Sequence, residues 1–167
     1  MTPNPKPLIL TGELLIQTVI FMSATQTFFG DLFIDHEEKE YDAGSIEHKK
    51  LLGLFFSAHW CPPCRNFTPV LKEFYEAIKK QYPHDFEVVF LSFDQSLEQF
   101  REYYKDMPWK AVPFGDPRIK AFCSKFDVKD IPTLIILRPD GTLVSSEGRH
   151  EVTVHGTEAC NKWKFAK

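Results

Sequence analysis

The chain reads as a three-layer α/β sandwich, a mixed central β-sheet with helices on both faces. Three features predict this. Residues 51–58 form a continuous apolar run of the kind that makes a strand buried on both sides. From Pro62 onward the apolar residues recur at three and four positions, which is the face of an amphipathic helix. Near the end, two short apolar runs flank Pro139-Asp140-Gly141, a tight-turn sequence, so a hairpin closes the order of elements. Strands alternating with helices first, and a hairpin last, make the sheet mixed rather than wholly parallel.

Residues 1–26 read as an N-terminal extension, disordered or an added helix, and 27–167 as the domain. The run Leu8 to Met22 is mostly apolar and follows Lys6, which gives it a faint likeness to a signal peptide. Gly12, Glu13 and Gln17 interrupt it, Thr11 and Thr18 dilute it, and it is shorter than the roughly 20 apolar residues that a membrane span needs. Neither cleavage nor insertion is expected. Phe28 to Ile34 reads as the first strand, and the charged stretch Asp35 to Lys39 as a turn. After the buried strand, Phe67, Val70, Leu71, Phe74, Tyr75 and Ile78 define a helix ending near Lys80. Pro69 should kink it, because proline lacks an N–H and its ring crowds the preceding turn. Phe86 to Phe93 is the next strand and Gln95 to Lys105 the next helix. Prolines at 108, 113 and 117 make a loop, with a short extended piece at Ala111-Val112. A third helix opens at Asp116 or Pro117 and uses Ile119, Phe122 and Phe126. Thr133 to Leu137 and Thr142 to Ser146 form the hairpin, and Thr157 to Phe165 a terminal helix.

Composition limits what the domain does. An apolar fraction of 43% with sixteen Phe is enough for a substantial core. The net charge of −3 gives no basic footprint, so no nucleic-acid partner is expected. Four cysteines are too few for a disulfide-stapled secreted scaffold of this length, which favours a reducing compartment.

The chemistry lies in Trp60-Cys61-Pro62-Pro63-Cys64, between the buried strand and the first helix. A sulfur at a helix N-terminus meets unpaired N–H groups and the positive end of the dipole, and such thiols ionise at a pKa of roughly 7 or lower instead of about 8.5. The thiolate is the attacking species in disulfide exchange. Cys61 is therefore the expected nucleophile, and Cys64, one turn later and more buried, the residue that resolves the mixed disulfide. Pro62 and Pro63 stiffen the ring and remove N–H groups that a helix start leaves unpaired anyway. No metal is expected: zinc wants four ligands, commonly as two such pairs, and Cys123 and Cys160 are too far apart in sequence to make a second. Cys123 reads as a packed small hydrophobe, Cys160 as an incidental thiol near a frayed end. No Gly-rich nucleotide fingerprint follows a strand, so no flavin or nicotinamide cofactor is expected; the cysteine pair is itself the redox group. Trp60 and Trp109 should flank the pair as an apolar platform for substrate. In Ile131-Pro132-Thr133 the proline is a candidate for a cis bond.

These segments together resemble a known group. Phe56-Ser57-Ala58-His59-Trp60-Cys61-Pro62-Pro63-Cys64-Arg65, then Phe67-Thr68-Pro69, Met107-Pro108-Trp109, Val112-Pro113-Phe114 and Ile131-Pro132-Thr133-Leu134, are similar to the tryparedoxin and nucleoredoxin branch of the thioredoxin superfamily. Asp85 to Phe90 and the ending Gly148-Arg149, Ala159-Cys160 and Trp163 look most like nucleoredoxin-like proteins. The resemblance runs from about residue 28 to the end. It implies a thioredoxin-like fold, Cys61 attacking, Cys64 resolving, and Pro132 cis and facing the pair, with the backbone at Ile131 and Pro132 meeting substrate. Typical thioredoxins have a buried Asp six residues before the nucleophile; Phe55 stands there in this chain. The proton acceptor is then His59, Asp94 or water. Phe93-Asp94-Gln95 also departs from the Trp-Asp-Glu usual in tryparedoxins, which weakens the case for a specific small-dithiol reductant.

The expected function is a protein-disulfide reductase, monomeric, cytoplasmic and also nuclear, acting on protein or peptide disulfides and recharged by an upstream dithiol donor. The alternative is a redox-sensitive binding or cell-maintenance factor of the nucleoredoxin-like type with little turnover. A third reading, a secretory oxidase or isomerase, requires the N-terminal run to be cleaved.

Overall fold

Among the described residues, seven strands make one mixed sheet, and its alternating side chains feed a core on each face. The computed structural model describes residues 28–30 and 32–167, so the expected extension at 1–26 lies outside the described residues. The interior strand β3 (Leu51–Ser57) is buried at all seven positions. Its Leu51 and Phe55 enter one core, and Leu52, Leu54 and Phe56 the other. The neighbours β4 (Phe86–Ser92) and β6 (Thr133–Leu137) divide in the same way, Phe86, Val88 and Phe90 against Val89 and Leu91, Leu134 and Ile136 against Ile135 and Leu137. This is the two-residue period of a strand covered on both faces, and it explains the unbroken apolar runs.

β4 lies parallel to β3 from Leu51 opposite Phe86 to Ser57 opposite Ser92, and β6 lies antiparallel on the other side. The short strands β1 (Phe33–Ile34), β2 (Glu40–Tyr41), β5 (Lys110–Ala111) and β7 (Leu143–Ser145) complete the order β2-β1-β5-β4-β3-β6-β7. Helices α1 (Pro62–Gln81), α2 (Leu97–Tyr104), α4 (Gly148–His155) and α5 (Glu158–Phe165) contribute to the first core. Helix α3 (Arg118–Lys125) contributes to the second.

Several boundaries differ from expectation. Phe28 and Phe29 are helical, so the first strand shrinks to Phe33–Ile34. The aromatic run that suggested a strand packs instead ring on ring, Phe28 on Phe29 and Phe122. α1, by contrast, runs through Pro69 and ends at Gln81, within a residue of the expected end. Helix α4, unanticipated, starts at Gly148, where the chain runs against β6: a Cβ at Gly148 would sit 2.6 Å from the Leu134 carbonyl oxygen, a backbone atom that cannot step aside. Glycine at this position lets α4 press on the strand that begins just after Pro132.

At the opposite end of the sheet from the cysteines, buried Asp85 meets Lys50 and Lys164, each at 2.8 Å, and so ties α5 to the start of β4. Burial works to raise the Asp85 pKa, but the hydrogen bonds and charge of Lys164 and Lys50 outweigh it and hold the carboxyl below the usual range. A depressed folded-state pKa adds stability that is present above the ordinary aspartate value of about 3.9 and lost as pH falls below it. Wild type should therefore melt above Asp85→Asn near neutral pH, with the gap closing as pH falls below about 3.9; a gap that ignores pH would refute the assignment.

Candidate redox site

The C-terminal ends of β3 and β4 and the loop before β6 converge where α1 begins. Cys61 is the N-cap of α1, in extended backbone conformation, with Pro62 and Pro63 in the first helical positions. Its Sγ accepts the backbone N–H of Cys64 at 3.3 Å. An N-cap side chain normally satisfies this orphan donor with oxygen; sulfur does so here, and the same contact stabilises negative charge on it. Cys61 and Cys64 are paired, their Cα atoms 5.2 Å apart. Cys61 is 5% exposed and Cys64 fully buried, so only the first can be reached from solvent. Pro62 and Pro63 are exposed.

Three tethers set the approach to the nucleophile. The His59 N–H donates to Asp94 Oδ1 at 2.7 Å, the Trp60 Nε1–H to the Phe93 carbonyl at 3.0 Å, and the Phe93 N–H to the Ser57 carbonyl at 2.9 Å. The loop after β3 is thereby fixed to the loop after β4. Asp94 is buried and also accepts from the Ser92 hydroxyl at 2.7 Å, so both its oxygens are engaged in holding backbone and turn. His59 is half-buried with its ring beside that of Tyr103, centroids 5.7 Å apart.

The Ile131–Pro132 bond is cis. It brings the Ile131 carbonyl oxygen to 3.8 Å from Cys61 Sγ, with Pro132 buried and Ile131 half-buried. Trp60, Cys61 and Ile131 share the wall of a cleft of about 400 Å³, and the indole of Trp60 stands 47% exposed at its edge. Phe93, Val128 and Cys123 complete the apolar lining, which sequence spacing alone did not connect to the cysteines.

Trp109 is elsewhere. It is 3% exposed, edge-on to Phe55 and Tyr75, and its indole N–H has no partner. The expectation that it flanks the pair as a platform is corrected: it fills the core beneath the site, because β5 starts at the next residue and turns the ring inward. Cys160 also departs from expectation. It is buried against α5's neighbours, not frayed, and burial lifts its thiol to about 11. Cys123 is half-buried and donates to the Val128 carbonyl at 3.2 Å. Among the described residues no group of three or more His, Cys, Asp or Glu could hold a metal ion, and no helix is long and apolar enough to cross a membrane.

A parallel–antiparallel sheet with a paired Cys-Pro-Pro-Cys at a helix start and a cis proline beside it defines a dithiol–disulfide redox protein. The chain belongs to the thioredoxin-like family, whose profile matches residues 49–143. Its relatives include probable nucleoredoxin 1 of Arabidopsis thaliana, 49% identical over 66% of this chain and 19% of that protein, and mouse (Mus musculus) nucleoredoxin, 45% identical over 66% and 25%. The chain thus spans a quarter or less of those two nucleoredoxins' length. Tryparedoxin of Trypanosoma brucei brucei is 44% identical over 68% of this chain and 78% of its own. A solved tryparedoxin from Trypanosoma brucei superposes with a TM-score of 0.75 at 36% identity, covering 85% of this chain and 99% of that one.

Proposed function

We propose that the protein is a thiol–disulfide oxidoreductase that reduces protein or peptide disulfides and is recharged by an upstream dithiol donor. The Cys61 thiolate attacks a substrate disulfide, forming a mixed disulfide and releasing one substrate sulfur as thiolate. Cys64 then attacks Cys61 Sγ, its proton passes to the departing substrate sulfur, and the pair is left oxidised. The donor reverses this with its own two thiols. The observation that carries the reading is the asymmetry of the pair: one sulfur at the N-cap on the wall of an apolar cleft, the other sealed behind it.

In this scheme Trp60, Ile131 and Pro132 form the substrate surface, and Pro62 and Pro63 present the nucleophile. The protein acts as a monomer in the cytoplasm and the nucleus, without nucleic acid, membrane or added cofactor. Turbidity of insulin reduced by dithiothreitol tests it. Catalytic acceleration is the expected result; none at all, with partner binding retained, would favour the redox-sensitive binding factor. Equilibration with glutathione fixes the direction of electron flow, a potential of about −200 mV or below being that of a reductant and one near about −120 mV that of an oxidant.

A further inference from the structure

Behind the resolving cysteine lies a chain of three hydroxyls that the redox scheme has not used. Ser57 Oγ, at the end of β3 and fully buried, is 2.8 Å from the Tyr103 hydroxyl of α2. Tyr103, itself buried, bonds Thr68 of α1, and the Thr68 hydroxyl donates to the Cys64 carbonyl at 2.9 Å.

The direction of every bond follows by counting protons. A carbonyl can only accept, so the single Thr68 proton is committed to Cys64. Tyr103 must then donate to Thr68, and Ser57 to Tyr103. Three donors point one way, towards the peptide of Cys64. That residue is held at both ends of its backbone, its N–H by Cys61 Sγ and its C=O by Thr68. Pro69, next in the helix, has no N–H to offer the Arg65 carbonyl, so the backbone ladder is open just where this side-chain chain takes hold.

We infer that Tyr103 is a positioning residue for the second half of the exchange: through Thr68 it fixes the turn from which Cys64 attacks the mixed disulfide at Cys61. The inference rests on the redox reading proposed above. The hydroxyl acts by orientation and not by taking a proton, since burial, slightly eased by Ser57 and Thr68, raises the tyrosine's pKa and keeps it neutral. The ring packs beside those of His59 and Phe90, each centroid 5.7 Å away, which holds the hydroxyl in place.

The test separates the two halves of the reaction. Reduced protein is mixed with dithiobis(nitrobenzoate), whose coloured thiolate leaves once when Cys61 attacks and again when Cys64 displaces the second aryl thiolate. Tyr103→Phe should leave the first release within about twofold of wild type and slow the second about fivefold, the factor that one ordinary hydrogen bond carries. Thr68→Val should do the same and Thr68→Ser restore the second release, which keeps the test open if Tyr103→Phe does not fold. The pH profile of the second release should keep its shape. Equal slowing of both releases, or of neither, overturns the inference while leaving the redox reading intact. A wild type with no second release overturns both.

Discussion

Cys61→Ser leaves a folded protein with no measurable disulfide exchange, a loss of roughly a thousandfold or more, as befits removal of the attacking atom itself. Cys64→Ser fails differently. Its Cys61 still attacks, but the displacing sulfur is gone, so one substrate stays attached per protein and appears as a mass increase that dithiothreitol removes. The difference follows from position: Cys61 caps α1 on the cleft wall, while Cys64 is fully buried one turn inside it. The fold survives both changes because little of it hangs on the pair. Closing a ring of four residues contributes about 2 kcal/mol by chain entropy, against the two cores that β3, β4 and β6 assemble from nearly every residue they possess. Oxidised wild type should accordingly melt somewhat above Cys61→Ser, and reduced wild type close to it. Equal turnover by wild type and Cys61→Ser in the insulin assay would end the redox account.

What could be read from the sequence was whatever depended on local pattern. β3, β4 and β6 are continuous apolar runs because both their faces are covered, and their limits were legible to within a residue or two. α1 announced itself by spacing and by prolines at its start. Of the two-residue strands, β5 was legible as the extended piece near Ala111, β1 only as the end of a longer strand, and β2 not at all. β1 and β2 are extended only because each lies beside a partner strand, and nothing in Glu40-Tyr41 says so locally. α4 escaped because GRHEVTVH buries only Gly148 and Val152, too few to mark a helical face.

The site divides in the same way. Cys61, Cys64 and Pro132 lie in motifs and were found as motifs. Trp109 was misplaced because a tryptophan between prolines looks the same whether it turns out or in. The hydroxyl chain was invisible: Ser57, Thr68 and Tyr103 come from three elements, and polar residues at such separations read as surface until the fold brings them together. Asp94 was singled out as a possible proton acceptor. Its oxygens receive the His59 N–H and the Ser92 hydroxyl, contacts that depend on β3 and β4 ending side by side and that the sequence alone did not show.

Phe55→Asp, which restores the carboxylate that typical thioredoxins carry at this place, should cost this protein most or all of its stability at neutral pH. Phe55 is fully buried with its ring 5.9 Å from each of Phe67, Phe90 and Trp109. Losing the ring alone is worth about 3–5 kcal/mol, and an unpaired carboxylate adds several more, against a total stability of about 5–15 kcal/mol for an ordinary domain. Among the described residues, the buried side-chain polar atom without a partner in this aromatic packing is the Trp109 indole nitrogen, a single neutral donor. The new aspartate should therefore fold protonated or not at all, with its pKa raised well above about 3.9. A raised folded-state pKa puts the sign opposite to that of Asp85: the charge penalty is absent below about pH 3.9 and grows as pH rises towards the folded-state value. Melting curves of Phe55→Asp and Phe55→Leu should diverge from about pH 4 to 7, the aspartate variant falling away as pH rises. Parallel curves would mean that water or a counter-charge reaches this position, and that a buried carboxylate could serve Cys64 here after all. If they diverge, the proton leaving Cys64 has to depart without a buried acid beneath it, with neutral hydroxyls setting the geometry and the substrate sulfur itself taking the proton.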